Sequence, residues 1–574
     1  MTEKVQKRDI SQRRKFLKLS ASTGAAVASM GVLGTAQTAI ADDFSALKPD
    51  RSLAGYTGYG RYRVVAAANL KQQALQQHFD ETLALPVQWD NNDEKRYDDE
   101  PHFYASFSKT LPSNNFGEVD SKAFRKLRKA LRKGRQKDFD AIPLDPSAER
   151  KLTNPQGALK YEISALDSHA TRIKSSHTFR SEHIAAEVGE VYWQAITRDV
   201  PYFDYASDPD VAAAVSDLNG FSKTAGVEKH VALSHETLFR GETPGDLNGP
   251  FISQFLLNSF EYGPALVEQR YQVPSAGIDF MQDHSNWLNI QRGGKPVETV
   301  SFDPVRRYIY NNRALSEYVH RDLSFQAYLN ACMQLIGMGS DAIAADNPYK
   351  DKISNQEGFT SLGDPFIVDL VTRAANIALT GAWFQKWRVH RFLRPEAFGG
   401  RVHFKMLGQR DYEIHSDLLN SAALQRIFSR NGSYFLPQAF IEGSPTHPSF
   451  PAGHAAIAGA CVTVLKACFD ENYVINNPVQ ADATGSSLLA YNGSDLTVGG
   501  ELNKLANNIS LGRCAAGVHY RQDGVQGLEV GQQQAIALLQ DQSRTMNETN
   551  FDGFTFTKFD GNRINIKQGI ITQL

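Results

Sequence analysis

The chain has 574 residues, 41% of them hydrophobic and 22% charged, with a mean hydropathy of −0.39. That length admits two to four domains or one large helical domain, and the composition is that of an ordinary globular protein. A formal charge of −2 gives no electrostatic footprint for nucleic acid, and beyond the first 41 residues no run approaches the roughly 18 apolar residues that span a bilayer.

In chain order, residues 1–41 stand apart. "SQRRKFLKLSAS" sets Arg13 and Arg14 before Phe16, Leu17 and Lys18, an uncharged Ala/Gly/Ser/Val stretch follows, and Ala39-Ile40-Ala41 forms a small-x-small cleavage site. This is the pattern of a twin-arginine export signal. The alternative, a basic amphipathic helix, lacks a polar face after Ser20. The leader's net +5 leaves about −7 for residues 42–574. A prokaryotic source and a destination in the periplasm or beyond are expected.

Residues 42–115 read as loop-rich, with no sustained period. "SKAFRKLRKALRKGRQKDF" (121–139) is a strongly basic helix, better explained by a solvated face or a subunit contact than by nucleic acid. Helical spacing runs through 159–200 and recurs at 315–338, 363–390, 454–469, 499–516 and 523–541. Long Gly/Pro/Asn connections such as 239–252 and 291–305 separate these segments. Strand alternation is rare, so the fold class is mainly α. The four cysteines are Cys332, Cys461, Cys468 and Cys514; they form no disulfide or zinc pattern, and Cys461 and Cys468 sit two helical turns apart, too far to bridge. Cys and Met together number only 11, which suits exposure to peroxide or reflects compositional drift.

Three segments carry chemistry. In "KWRVHRFLRPEAFGG", Arg394 precedes Pro395 and is pushed out of the α region. The helix bearing Lys386 is therefore predicted to end near Arg391, leaving Arg394 to converge on the point that Lys386 faces. In "SPTHPSFPAGHAAIAGA", Pro451-Ala452-Gly453-His454 opens a helix whose free amides and dipole favour an anion. Gly453 lets that backbone approach closely, and His454 lies in the first turn. In "NISLGRCAAGVHYRQDG", Arg513 and His519 are separated by about 600° of helical rotation, so Gly517 must break the helix to unite them. A new helix near Tyr520 lets Asp523 bond one nitrogen of His519. Taken singly, each segment has a bland reading as dipole stabilisation or an ordinary loop histidine. Together they supply Lys386, Arg394, Arg513 and the Gly453 amide to a tetrahedral oxyanion, with two histidines on its axis.

The pattern Lys…Arg-Pro, Pro-Ser-Gly-His, Arg-x5-His-x3-Asp resembles that of vanadium-dependent haloperoxidases and the related acid phosphatases. "THPSFPAGH" and "GVHYRQDG" look like the red-algal bromoperoxidase branch and its cyanobacterial relatives. The resemblance implies a pair of four-helix bundles. It also implies vanadate held by Lys386, Arg394, Gly453 and Arg513, with His519 bonded axially to vanadium and His454 as the acid/base for the peroxide proton. His447 corresponds to a histidine at the edge of the bromoperoxidase site, whereas Trp383 looks like the chloroperoxidase choice. Ala452 departs from the family serine, which would donate to a vanadate oxygen. Hydrogen peroxide, bromide or iodide and a small organic acceptor are the implied substrates, and a large homo-oligomer, a dodecamer by resemblance, the implied assembly. A calcium loop at "NPYKDKISNQEGF" (347–359) is a further candidate. The rival readings are a phosphomonoesterase with His519 as nucleophile and a non-catalytic assembly protein.

Overall fold

Small residues decide how the central helices meet. A Cβ on Gly459 would lie 2.2 Å from the Leu528 carbonyl oxygen, and one on Gly531 would lie 2.1 Å from that of Ala456. The helices carrying "HAAIAGA" and "GLEVGQQ" therefore touch backbone to backbone, with no room for side chains between them. This contact fixes both helix starts, and the candidate site is built at those starts.

The computed structural model describes residues 58–227 and 230–574; the export leader lies outside the described residues. The chain divides into two units, Met1–Leu75 and Gln76–Leu574. Of the first, only the leading stretch of a helix is described; the second carries all the other elements. Helices of ten residues or more, in order, are α1 (Gly58–Ala84), α2 (Ser121–Lys133), α3 (Glu182–Ile196), α4 (Pro209–Asn219), α5 (Asn312–Arg321), α6 (Gln326–Gly337), α7 (Asp364–Phe384), α8 (Pro395–Met406), α9 (Ala422–Asn431), α10 (Gly453–Cys468), α11 (Val498–Ala515) and α12 (Arg521–Ser543). Among the described residues, strands are confined to small antiparallel sheets: β1 (Phe260–Tyr262) with β2 (Ala265–Val267), β3 (Val479–Ala481) with β4 (Leu488–Ala490), and a meander of β5 (Phe554–Thr557), β6 (Arg563–Lys567) and β7 (Ile570–Gln573). In the meander Phe554 pairs with Ile566 and Phe556 with Ile564, all four buried against the core that α10 also enters.

Two helical groups result. One core joins α5, α6, α7, α10, α11 and α12. The other joins α3, α4, α8 and α9, helices of 10 to 15 residues linked by long loops. They match the mainly helical fold expected. Each buried Leu, Ile or Phe contributes about 1.5–3 kcal/mol, so the largely apolar α10, buried at every residue but His454, anchors the first group.

Three expectations are corrected. The span 42–115 is not loop throughout: α1 forms from a run of good helix formers with little apolar periodicity, so pattern reading misses it. The span 159–200 is helical only from Glu182; before it the chain is irregular, with bends and a turn at 164–170, and is tied to α12. Several of its amides bond α12 side chains: Ala165 N to Asp541, Arg172 N to Gln533, Lys174 N to Gln526 and His177 N to Gln522. The span 315–338 is two helices, broken where Asp322 turns extended (φ −61°, ψ 145°). The basic helix forms as α2, capped by Asp120 at its start and by Gly134 (φ 65°) at its end. Its apolar face, Phe124, Leu127 and Leu131, packs with Phe103, Phe107 and Trp387. All four cysteines are buried and unbridged. In the 347–359 loop Asn347 caps a short helix and donates to the Leu362 carbonyl. Among the described residues no group of three or more His, Cys, Asp or Glu is placed to hold a metal ion, so the calcium expectation gains no support there.

Candidate active site

The helix α7 runs on into a widened π-helical turn, Gln385–His390, and stops at Arg391, whose φ of 42° admits no further helix. Lys386 lies in that turn, fully buried, and its Nζ donates to the carbonyls of Pro448 (2.9 Å) and Ser449 (2.6 Å). Arg394 is extended (φ −80°, ψ 152°), as a residue before proline must be. Its Nε donates to the His447 carbonyl (3.0 Å), Nη2 to His447 Nδ1 (3.0 Å), and Nη1 to both the Val518 carbonyl (2.7 Å) and His519 Nε2 (2.9 Å). Gly517 (φ 83°) makes the break between α11 and α12, bringing His519 back onto Arg394.

Asp523 lies one turn into α12. Its Oδ2 accepts from His519 Nδ1 (2.8 Å), Tyr520 N (3.2 Å) and Ser449 Oγ. A carboxylate only accepts, so the imidazole proton sits on Nδ1 and the Nε2 lone pair faces Arg394. Burial, then the Arg394 and Lys386 charges, hold His519 well below its usual range, so the ring is neutral. His447 is depressed for the same reasons. Burial pushes Asp523 up from 3.8 to about 6, and it pulls Arg394 down to about 9. Lys386 is depressed by burial and by the two neighbouring arginines.

Gly453 opens α10 beside these groups: a Cβ there would lie 3.5 Å from Trp383 Cζ3 and 4.0 Å from Lys386 Cε. Trp383 packs its ring on His447 (centroids 4.7 Å apart, 47° between planes). Ala452 is the N-cap residue of α10 and makes no side-chain cap; its amide donates to the Asp523 carbonyl oxygen (2.7 Å). His454 stands on the outer side, with its Nε2 3.1 Å from Asp322 Oδ1, and it makes no direct contact with His519. Asp322 also lines a cavity of about 180 Å³ with Tyr271, Tyr318 and Arg321. Arg513 is buried, donates Nη1 to the Val319 carbonyl (2.7 Å), lies over the Phe440 ring and leaves its Nε without a partner.

The charge balance bears on what the site holds. Lys386, Arg394 and Arg513 are 0%, 1% and 4% exposed, yet among the described residues none has a carboxylate within ion-pair distance. The carboxylates whose fields reach them are already engaged. Glu396 pairs with Lys109 (2.6 Å), Glu442 with His320 (2.7 Å), Asp322 with His454 and Asp523 with His519. Elsewhere in the interior cations are paired, as in Lys504–Glu501 and Arg521–Glu190, or stand singly with carbonyls accepting from them, as Lys466 and Arg401 do. Buried charges are ordinarily paired, so three unpaired cations whose fields overlap, at the end of α7, the start of α8 and the last turn of α11, mark an anion site.

Comparison with known proteins agrees. A vanadium-dependent bromoperoxidase of Ascophyllum nodosum is 36% identical over 491 residues, covering 81% of this chain and 86% of the relative. The chain belongs to the vanadium-dependent bromoperoxidase family. Bromoperoxidases of Corallina officinalis and Corallina pilulifera are each 31% identical, covering 81% of this chain and 92% of the relative. The model of the VCPO second helical-bundle domain matches residues 422–548, a span that holds His447, His454, Arg513 and His519. The structure also superposes on the second vanadate-dependent bromoperoxidase of Ascophyllum nodosum, solved as a homohexamer, with a TM-score of 0.83 at 27% identity, covering 93% of this chain and 96% of that one.

A bromoperoxidase of this family needs a site for vanadate, and the residues present fit one: three unpaired cations, an orphaned Arg513 Nε, the Gly453 amide and a neutral imidazole with its lone pair inward. The sequence places Lys386, Arg394, Gly453, Arg513, His519 and Asp523 in one site; contacts link Lys386 with Gly453 and Arg394 with His519 and Asp523, and the Arg513 charge reaches Lys386, Arg394 and His519. Two residues of the site carry no assignment from sequence, Ser449 and Asp322. Ser449 sits inside the motif, two residues after His447. Asp322 gives no local signal, because the helical pattern runs straight through it.

Proposed function

We propose that the chain is a vanadate-dependent haloperoxidase that oxidises bromide or iodide with hydrogen peroxide to hypohalous acid, which halogenates an organic acceptor. The observation that carries this reading is the trio of buried cations without carboxylates around the His519 lone pair. When bound, vanadate supplies a Lewis-acidic centre that activates peroxide for attack by halide without itself changing oxidation state.

The chain's own residues perform the rest. Lys386, Arg394, Arg513 and the Gly453 amide would hold the oxyanion, and their fixed positive charge is aimed where negative charge develops, without reorganisation. His519 would offer Nε2 as a ligand to the metal, and Asp523, steadied by Ser449, keeps the proton on Nδ1 and raises the basicity of the other nitrogen. His454, 29% exposed in its side chain, backed by Asp322 and next in sequence to Gly453, would accept and return the peroxide proton. Trp383 and His447 form the wall that a halide passes. With the family serine replaced by Ala452, one charge-assisted hydrogen bond, worth about 1.5–3 kcal/mol, is missing from the cage.

The twin-arginine leader supports export to the periplasm or beyond, and the homohexameric relative supports a homo-oligomer. Sedimentation of the purified protein reads the subunit count, with hexamer and dodecamer as reference masses. After incubation with orthovanadate, peroxide and bromide should brominate a phenolic dye. Absence of bromination alongside hydrolysis of p-nitrophenyl phosphate would establish the phosphatase instead.

A further inference from the structure

Of the five tryptophans, Trp193, Trp287 and Trp387 are at most 1% exposed, and Trp89 is 72% exposed. Trp383 alone is half-buried and at the site. Its ring stands against His447, which bonds Arg394, and its Cζ3 edge is 3.5 Å from where a Gly453 Cβ would be. Its Nε1 is anchored on the Asn154 carbonyl (3.1 Å), which holds the indole in one orientation. Indole is among the most electron-rich side chains a protein offers, and here it lines the wall beside which hypobromous acid is released.

We propose that Trp383 is a self-modification site, an internal acceptor that captures hypobromous acid before it escapes whenever no organic acceptor occupies the site. The inference rests on the haloperoxidase reading. The pyrrole-ring π pair attacks bromine and forms a C–Br bond, while the O–Br pair departs with oxygen as hydroxide. The resulting cation either loses its ring proton, giving bromotryptophan and water, or takes up water and expels bromide, giving the oxindole and hydrogen bromide. Both exits balance with hypobromous acid as the sole oxidant. The modified ring changes the size and polarity of the site wall, so turnover without acceptor limits itself.

The test uses the full chain loaded with orthovanadate and given peroxide and bromide without acceptor. Peptides are then mapped by mass for the bromine isotope pair or a bromide-dependent gain of oxygen. Trp89 is the internal control for acid free in solution. With taurine present as a soluble scavenger, Trp383 modification should persist and exceed that of Trp89 by at least about tenfold, the mark of a proximity effect. Reagent hypobromous acid without vanadate and peroxide should reverse that order. Trp383→Phe should lose activity more slowly than wild type over repeated turnover, each normalised to its own initial rate. The inference is overturned if Trp383 stays unmodified while Trp89 reacts, if taurine protects both equally, or if reagent acid gives the same preference. A phenolic-dye control distinguishes the two failures: bromination of the dye with an untouched Trp383 overturns this inference alone, and no bromination overturns the parent reading.

Discussion

Asp523→Asn removes a charge while keeping a shape. The wild-type carboxylate is fully buried and accepts three hydrogen bonds at Oδ2, of which the one from His519 sets the tautomer of the axial nitrogen. Replacing a charged acceptor by a neutral one costs about 1.5–3 kcal/mol, or roughly 10- to 100-fold in vanadate affinity. The pH dependence has a definite sign. Asp523 is raised from 3.8 to about 6, whereas His519 is held well below its usual range, so near pH 6 the titrating member of the pair is the carboxyl group. As pH falls through about 6, wild-type Asp523 takes a proton and its affinity for vanadate should drop toward that of the variant, whose own curve stays flat across this window. Folding follows the opposite slope. Between 3.8 and about 6 the folded chain keeps a proton that the unfolded chain has lost, so this group's contribution to stability declines as pH rises, and Asp523→Asn abolishes that slope. The assay is retained vanadium after gel filtration on both sides of pH 6, with bromination rate as a second readout. Equal affinities for the two proteins, or an acid limb that persists in the variant, would show that Asp523 does not govern the axial nitrogen.

Ala452→Ser restores a hydroxyl at the N-cap of α10. It should tighten vanadate by about tenfold through a charge-assisted bond, or stabilise the vanadate-free chain by about 0.5–2 kcal/mol through capping; an unchanged vanadate titration and an unchanged melting temperature would remove Ala452 from the site. His454→Ala should retain vanadium yet lose about 10²–10⁴-fold in bromination rate, and a variant that keeps its rate would show that the peroxide proton goes elsewhere. Gly531→Ala thrusts a methyl group to 2.1 Å from the Ala456 carbonyl oxygen and should cost about 1–3 kcal/mol by overpacking, measured by denaturant midpoint. A neutral result would mean that α10 and α12 are not locked in backbone contact.

What is legible in the sequence is what local geometry dictates. Arg394 before Pro395, Gly517 between two helices, and the four-residue step from His519 to Asp523 each constrain the backbone by themselves, and each constraint is met. The stretch 172–177 reads as helix but forms none, because the amides of Arg172, Lys174 and His177 are satisfied by glutamines of α12, partners more than 340 residues away that no local window contains. Asp322 escapes notice for a related reason: the helix break that frees it comes from tertiary packing, not from a glycine or proline. The meander at the C-terminus does carry a signal, the alternation in "FTFT" and "RINIK" around Asp560-Gly561. The absence of carboxylates around Lys386, Arg394 and Arg513 is invisible in the sequence, since it depends on which partners Glu396, Glu442 and Asp322 find in space.

If these cations and His519 form one vanadate site that drives halide oxidation, metal content and activity cannot be separated. The decisive measurement titrates vanadate-free protein with orthovanadate and reads retained vanadium and dye bromination on the same samples. Both should rise together to a plateau at one vanadium per chain, and His519→Ala should retain none. Bromination by protein free of vanadium, or saturating vanadium retention by the His519→Ala variant, would contradict the assignment.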